Sequence, residues 1–356
     1  MSASATAVLD ALRRSGDRRC SGESLSSELG VSRAAVWKQI EGLRRRGYRV
    51  EGSAGGGYRL LEIPDRLYPE EIREGLTTAW LGREIRYHDQ TDSTNRVASE
   101  LAQEGAVHGL AVIAEQQSAG RGRLGRSFFS PAYCNLYTSI VLRPELTVAE
   151  APTLILTAAI AVAETIAASL GGANATPASP EVREQIEIKW PNDVLLDGLK
   201  TSGILMEMSA EATRVGYAIL GIGVNLNVER AEFPSGFRDR ATSLWAHRQP
   251  GGEGRIDRVS FTQRLYGILE DVLDVHTSQG FAALRPRFDA YFRMPGRRVE
   301  VVEMKGSRLT GVARGITEDG ALQVERPDGR IERVIAGDVT LEPRTLATPY
   351  RPEKHP

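Results

Sequence analysis

Residues 21–46, SGESLSSELGVSRAAVWKQIEGLRRR, leave few choices of fold. Leu25 and Leu29 stand four apart, with Ser21 and Ser24 as candidate caps before them and Gly30 behind. A short helix therefore starts on a serine and stops at Gly30, since glycine enters the left-handed region at little cost. Ser32 caps a second helix, in which Val36, Ile40 and Leu43 fall at i, i+4 and i+7 on one inward face. Two helices joined by a turn of about three or four residues that holds a glycine form a helix–turn–helix. An earlier helix across 6–14, with Val8, Leu9 and Leu12 inward, and the run YRVEGSAGGGYRL complete the unit. That run reads as two short alternating strands around a glycine-rich tip, a wing.

Charge sets this segment apart. Between Arg13 and Arg59 there are 11 Lys/Arg against 5 Asp/Glu, whereas the rest of the chain holds 34 against 41. A small basic module on an acidic body directs the N-terminal segment at a polyanion. The expected DNA contacts are Ser32, Arg33, Trp37 and Lys38, near the N-terminus of the second helix where such helices reach base edges. Arg44, with its neighbours to Arg46, is expected at phosphates. Two plainer readings stand beside this one: a three-helix protein-interaction domain with solvated arginines, and Trp37 packed between helices. The wing, the local charge and the capped second helix favour DNA.

At 356 residues the chain is long for one core, so two or three domains are expected. Its net charge of −1 excludes a general polyanion binder. No apolar run approaches the roughly 20 residues that span a bilayer; the longest, Leu154 to Ala163, is broken by Thr157 and reads as a core helix. The start of the chain lacks the pattern of a secretory signal. Cys20 and Cys134 fall in segments assigned to different domains, and the five histidines show no zinc-ligand spacing. A cytoplasmic protein without a membrane partner or a protein-only metal cage is the expectation.

The two prolines of LEIPDRLYPEEI place a domain boundary near Ile63 and Pro64. After it, strands at 83–90, 110–117 and 135–143 alternate with helices at 95–104 and 152–170, Ser93 being placed to cap the first of these helices. A strand at 186–190, a hairpin through 194–208 and a strand at 216–228 follow. Hairpin linkage of the later strands makes this an α+β mixed sheet rather than a doubly wound one. Residues 171–185 and 248–257 read as exposed insertions without function.

Chemistry gathers at strand ends. In SAGRGRLGRSFF, Gly120, Gly122 and Gly125 satisfy G-x-G-x-x-G, but no helix begins there and Ser130-Pro131 follows. A dinucleotide fingerprint needs its helix N-terminus, and a P-loop needs Lys-Ser/Thr, so neither fits. Instead Arg121, Arg123 and Arg126 alternate with glycines, an arrangement that lets guanidinium groups converge on phosphates and a carboxylate. Such a loop is expected to be mobile until a charged ligand orders it; the plain alternative is a surface loop that binds nothing. KWPND sets Lys189 and Asp193 either side of Pro191 with Asn192 beside the carboxylate, and Lys200 stands three residues before Gly203. Each lysine could equally be a solvated hairpin residue, and Trp190 by itself reads as core.

Taken in order, GRGRLGR, KWPND, K-x-x-GIL and GIGVNLN resemble the bacterial bifunctional biotin–protein ligases that are also biotin operon repressors. SRAAVWKQI and GGGYRL look like that family's winged helix and wing. Residues 296–341, alternating strands separated by turns at Gly311, 318–320 and 328–329, resemble its C-terminal SH3-like small β-barrel. The resemblance implies a winged helix over 1–63, a ligase domain over 64–293 and the barrel over 294–345; residues 346–356, outside it, read as a disordered tail. It implies ATP and biotin as substrates with Mg²⁺, formation of biotinyl-5′-AMP, and transfer of biotin to a lysine of a biotin carboxyl carrier protein of acetyl-CoA carboxylase. Operator DNA and a homodimer built by side-by-side sheet pairing are the other implied partners.

By motif, Ser93, Thr94, Asn95 and Gln117 would contact biotin, with Arg121, Gly122, Arg123, Lys200 and Gly203 around its carboxylate end. Arg121, Lys200, Lys189 and Asp193 would be catalytic, Lys200 bridging carboxylate and α-phosphate. Asp193 would serve Mg²⁺ brought by ATP. Arg123, Arg126, Asn192 and Asn225 would hold the nucleotide, and Phe128 would stack on adenine where the family often has Trp. Rival readings are a lipoate-ligase-like acyltransferase, a ligase with a non-repressing winged helix, and a biotin sensor without ligase activity.

Overall fold

The computed structural model describes residues 3–53, 56–171, 179–248, 254–303 and 306–341, which fall into two compact units, Met1–Arg66 and Leu67–Pro356. The expected tail at 346–356 and parts of both expected insertions, 172–178 and 249–253, lie outside the described residues.

The first unit holds helices α1 (Ala3–Ser15), α2 (Gly22–Leu29) and α3 (Arg33–Arg45) and the antiparallel pair β1 (Arg49–Ser53) and β2 (Gly57–Glu62). Of the two candidate caps before α2, Ser21 is the one used: its side chain accepts from the Ser24 N–H. Gly30 ends the helix at φ 63°, ψ 31°, the left-handed conformation its place in the sequence predicts. Ser32 caps α3 by accepting from the Ala35 N–H. Val8, Leu9, Leu12, Leu25, Val36, Ile40 and Leu43 form the buried centre, while Leu29 is only half-buried. β2 also bonds residue 20, the Tyr58 and Cys20 backbones exchanging hydrogen bonds of 2.7 and 2.8 Å.

In the second unit, α4 (Pro69–Glu74) precedes a seven-stranded sheet. Its members are β3 (Ile85–His88), β4 (Ala111–Ala114), β5 (Leu136–Leu142), β6 (Ile186–Lys189), β7 (Asp193–Leu196), β8 (Leu199–Glu211) and β9 (Arg214–Val224). The spatial order is β3-β4-β5-β9-β8-β7-β6, parallel only between β3 and β4. The interleaved helices are α5 (Thr94–Gln103), α6 (Thr153–Leu170), α7 (Pro180–Gln185), α8 (Leu244–Arg248) and α9 (Arg258–Asp289), the last broken at Gly280. α6 is long and apolar enough to cross a membrane, yet 72% of it is buried inside this unit. It packs chiefly against α9 and the sheet, as the run from Leu154 to Ala163 predicts.

Strands β10 (Arg298–Val302), β11 (Arg308–Ile316), β12 (Leu322–Glu325), β13 (Ile331–Val334) and β14 (Asp338–Leu341) make an antiparallel sheet in the order β13-β12-β11-β10-β14. This sheet belongs to the second compact unit, and its Val299, Val301, Leu322 and Val324 share one apolar core with α6 and α9. The Trp190 indole N–H donates to the Gly320 carbonyl at 2.9 Å, tying the KWPND turn to the β11–β12 turn.

Four local expectations need correction. Gly311, expected at a turn, lies within β11 and pairs with Val299 of β10. Ser93 stands at the N-cap of α5 but its side chain makes no capping bond; the Asp92 carboxylate accepts from the Ser93 N–H instead. Residues 180–185 of the first expected insertion form α7, capped by Ser179, with Pro180 in its first turn where the missing N–H costs nothing. In the second, Ile256 is buried, its N–H donates to Asn227 Oδ1 at 2.8 Å, and Asp257 caps α9.

Candidate functional site

Two cavities in the second unit share the Phe128 ring as part of their walls. The smaller is floored by Gly203 and Leu205 of β8 and Gly221 and Gly223 of β9. Above the floor lie Ser93, Thr94 and Asn95 at the start of α5, Gln117 just after β4, and Arg121. Period-two alternation puts both β9 glycines on the pocket face, where the floor has to be thin. A Cβ on Gly221 would lie 2.0 Å from Asn95 Oδ1, and one on Gly223 would lie 2.6 Å from Phe128 Cε1. The glycines of GIGV thus admit Asn95 and Phe128 close to the sheet.

The polar groups over this floor are bonded to one another. Gln117 Oε1 accepts from the Thr94 N–H at 2.8 Å and from its hydroxyl at 3.1 Å, and Gln117 Nε2 donates to Ser130 Oγ at 3.1 Å. Asn95 Oδ1 accepts from Ser139 at 2.7 Å, while Asn95 Nδ2 donates to Glu207 Oε2 at 2.9 Å. Ser93, with its hydroxyl released from capping, is buried in the wall. Neutral donors and acceptors around a small apolar floor suit an uncharged polar ring.

The larger cavity, about 2510 Å³ and open to solvent, runs past Lys189, Asp193, Lys200, Arg126 and Asn225 to the edge strand β14. Register brings the motif residues together: Lys189 faces Asp193 across β6–β7, and Asp193 faces Gly203 across β7–β8. Lys200 Nζ stands 2.6 Å from Asp193 Oδ1, a close but poorly directed ion pair, since this buried oxygen receives no well-aligned hydrogen bond. A Cβ on Gly203 would meet both Lys200 Nζ and the Phe128 ring at 3.2 Å, so the lysine end, the ring and the strand converge on one point. α7 residues Glu184 and Gln185 line the same cavity, so this part of the expected insertion borders the site.

The glycine–arginine loop folds on itself. Gly122 N–H donates to the Arg126 carbonyl at 2.7 Å and Phe128 N–H to the Gly120 carbonyl at 2.8 Å, around a 3₁₀ turn at Arg123–Gly125. Its three guanidinium groups part company: Arg121 turns to Glu207 at 3.5 Å, Arg123 donates to Asn192 Oδ1 at 3.3 Å, and Arg126 forms a two-bond pair with Asp338 of β14. Burial lowers the Arg123 pKa, with Asp193 and Asp338 opposing that shift, and the Asp338 hydrogen bond raises that of Arg126. Asn192 Nδ2 also holds the Ile204 carbonyl at 2.8 Å.

Two residues expected at ligands make internal bonds. Asn225 is buried and its amide is engaged internally, Nδ2 donating to the Thr242 carbonyl at 3.2 Å and Oδ1 accepting from Asn135 at 3.4 Å; it supports the groove wall. In the first unit Arg44 is occupied as well: Nε and Nη2 donate to the Val50 carbonyl at 3.0 and 2.8 Å, and Nη1 to Glu41 at 2.6 Å. It fastens α3 to the wing rather than projecting towards phosphates. Arg33, Trp37 and Lys38 are exposed on α3, Trp37 at 57%, so Trp37 is not a packing residue within its unit.

Sequence reasoning missed Glu207, Ser139, Asp338 and α7. Glu207 continues the alternation of Gly203 and Leu205 along β8, which is a readable signal; Ser139 and Asp338 reach the site only through sheet register and the packing of the C-terminal strands.

Comparison with known proteins follows the same division of the chain. Residues 87–225 match the Biotin/lipoate A/B protein ligase family, 5–59 an HTH domain, and 296–341 the Biotin protein ligase C terminal domain. The chain is 37% identical over 334 residues to the bifunctional ligase/repressor BirA of Bacillus subtilis, covering 94% of this chain and 97% of that protein. It is 33% identical over 244 residues to a biotin–[acetyl-CoA-carboxylase] ligase of Paracoccus denitrificans, covering 68% of this chain and 94% of that one. In fold it is similar to the biotin protein ligase of Aquifex aeolicus in complex with biotin and ATP, with a TM-score of 0.55 at 24% identity over 73% of this chain and 99% of the other.

Proposed function

Because this chain belongs to the family of bifunctional biotin protein ligases and repressors, we infer that its two cavities are the two halves of one adenylation site. The enzyme is a biotin–protein ligase using biotin and ATP, and its helix–turn–helix unit makes it a repressor as well. The observation that carries the site assignment is the convergence of Lys200, Asp193 and Phe128 at Gly203, where the small pocket meets the charged groove.

Biotin lies in the small cavity, its ureido ring towards Ser93, Thr94, Asn95 and Gln117. Its carboxylate then reaches Lys200 and the loop arginines. ATP occupies the groove with its α-phosphate at the same point. A carboxylate and a phosphate repel each other, and a lysine between them offsets that repulsion most strongly as charge builds in the transition state. Attack forms the bond from carboxylate oxygen to α-phosphorus and releases pyrophosphate; the acceptor lysine amine then attacks the acyl carbon and releases AMP. Arg123 and Arg126 hold phosphate oxygens once they exchange Asn192 and Asp338 for the nucleotide. Phe128 offers a π-face to adenine from the wall between the cavities.

Mg²⁺ fits this site as a passenger of ATP. Among the described residues no group of three His, Cys, Asp or Glu could cage a metal, and Mg²⁺ bound by one carboxylate plus substrate phosphates needs none. The buried Asp193 Oδ1, with a poorly directed partner, is the carboxylate oxygen suited to it. When bound, the ion would neutralise phosphate charge.

The acceptor is a carrier domain of a biotin carboxylase system, and both halves of the chemistry belong to the cytoplasm. Adenylate binding promotes a homodimer that presents two α3 helices to a two-fold operator. A matched HTH domain and C-terminal ligase domain favour biotin over lipoate as the acyl substrate.

Lys200→Ala should lower biotin-dependent pyrophosphate exchange by about 10²–10³-fold while the protein stays folded; exchange at the wild-type rate would remove Lys200 from the mechanism. A gel shift on biotin-synthesis promoter DNA, at fixed salt with and without biotin and ATP, should show ligand-dependent retardation. Retardation equal to that of random DNA would refute the operator reading.

A further inference from the structure

Glu207 lies behind the small cavity, in contact with Asn95 and Arg121 of its wall, and nothing in the adenylation chemistry calls for an anion there. It follows Gly203 and Leu205 on the pocket face of β8. Its two carboxylate oxygens serve different elements: Oε2 accepts from Asn95 Nδ2 of α5 at 2.9 Å, and Oε1 faces Arg121 Nη1 of the glycine–arginine loop at 3.5 Å. An anion beside a site for a carboxylate and phosphates works against ligand charge, so its place there calls for an offsetting role.

We propose that Glu207 is a positioning residue for the biotin half of the reaction, holding Asn95 in one amide orientation and Arg121 over the pocket through a single side chain. The proposal rests on the ligase reading given above. A carboxylate only accepts, so the Asn95 NH₂ must face it. The Asn95 oxygen is then left to Ser139, which donates to it at 2.7 Å. A second Nδ2 bond, to the Leu205 carbonyl at 3.3 Å, fixes the same orientation. Without the carboxylate, the amide keeps only the longer Leu205 bond and the Ser139 bond, so its orientation is held less firmly. The Arg121 contact is half-exposed, its side chains 52% and 40% accessible, so it is weak in itself and sensitive to salt. It acts by restricting where the arginine of a glycine-rich loop can be, which lowers the ordering cost of binding.

The test is steady-state pyrophosphate exchange on full-length protein, varying biotin and ATP separately, with Glu207→Ala and the near-isosteric Glu207→Gln. Glu207→Ala loses both contacts and should raise the biotin KM by about 10- to 100-fold, while kcat at saturating biotin and the KM for ATP stay within about twofold. Glu207→Gln keeps an oxygen that can accept from Asn95 but loses the charge facing Arg121. Its biotin KM should rise by about three- to tenfold at low ionic strength, and the ratio to wild type should shrink as salt is added. Glu207→Gln should also expose the loop arginines to faster tryptic cleavage in the absence of biotin, at an unchanged Tm. A biotin KM within twofold of wild type in Glu207→Gln at low salt overturns the proposal, as does an equal rise in both KM values or a loss confined to Tm. If the wild-type protein shows no biotin-dependent exchange, the ligase reading fails and the proposal falls with it.

Discussion

Gly221 shows how much one hydrogen atom in place of a methyl group decides. Asn95 Oδ1 occupies the space a Cβ there would need, at 2.0 Å, and the same oxygen accepts from Ser139. Gly221→Ala must push the amide away and break that bond, leaving a buried polar group unsatisfied at about 1–3 kcal/mol. We expect a tenfold or greater loss of biotin affinity by calorimetry, with nucleotide binding retained; unchanged biotin affinity would mean that Asn95 does not shape the pocket. At this scale the sequence is a good guide to residue type and a poor one to partners. Lys200, Asp193 and the arginine loop stand out because charged groups beside glycine and proline at strand ends have few structural reasons to be there. Their counter-charges do not stand out. Glu207 and Asp338 lie 86 and 212 positions from the arginines they face, and only folding brings them near. Asn225 lines the groove and also spends its amide on Thr242 and Asn135, since a buried amide at a strand end serves backbone support as readily as ligand contact.

Among the elements, α3 and the wing form one mechanical piece. Arg44 spans from the last turn of α3 to the Val50 carbonyl of β1 with two bonds and holds Glu41 with another. Arg44→Ala should therefore free the wing relative to the helix and weaken specific DNA more than random DNA, leaving ligase activity intact. The contrary result, equal loss on both DNAs with the slope against salt reduced by about one phosphate, would return Arg44 to direct backbone contact. Elements were legible wherever two local signals agreed. Gly30 and Ser32 mark a stop and a start with one residue between them, and both are used as such. The start of α5 was legible, but not its capping, because Ser93 is drawn into a cavity wall and Asp92 takes up the backbone donor. α7 was hidden by composition: alanine, glycine and proline before Ser179 resemble a linker, and a six-residue helix has too few turns to show periodicity.

At the scale of the whole chain, the two joints between its three matched regions differ in kind. Between the helix–turn–helix match and the ligase match the chain divides into separate compact units at Arg66 and Leu67, whereas the C-terminal sheet shares an apolar core with α6 and α9. Leu67 itself is anchored inward, its N–H donating to Glu115 Oε1 at 2.8 Å, and Glu115 is paired at 2.7 Å with Arg258, both fully buried. A buried charge stripped of its partner costs about 3–5 kcal/mol, so the ligase unit carries its own closure just inside that joint. Residues 67–356 should thus fold alone and biotinylate a carrier domain at near full-length rates, without any DNA binding; an insoluble or inactive fragment would show that the first unit is needed for folding or chemistry. The other joint was not legible in the sequence. The family resemblance implies a separate small barrel, and nothing local announces that Trp190 reaches across to Gly320 or that β14 supplies a partner for Arg126. For a lineage that shuffles modules, this makes the N-terminal reader an interchangeable head, open to replacement or loss by a single crossover, while any crossover near residue 295 would have to deliver a matching Trp190 pocket and a matching carboxylate in the same event.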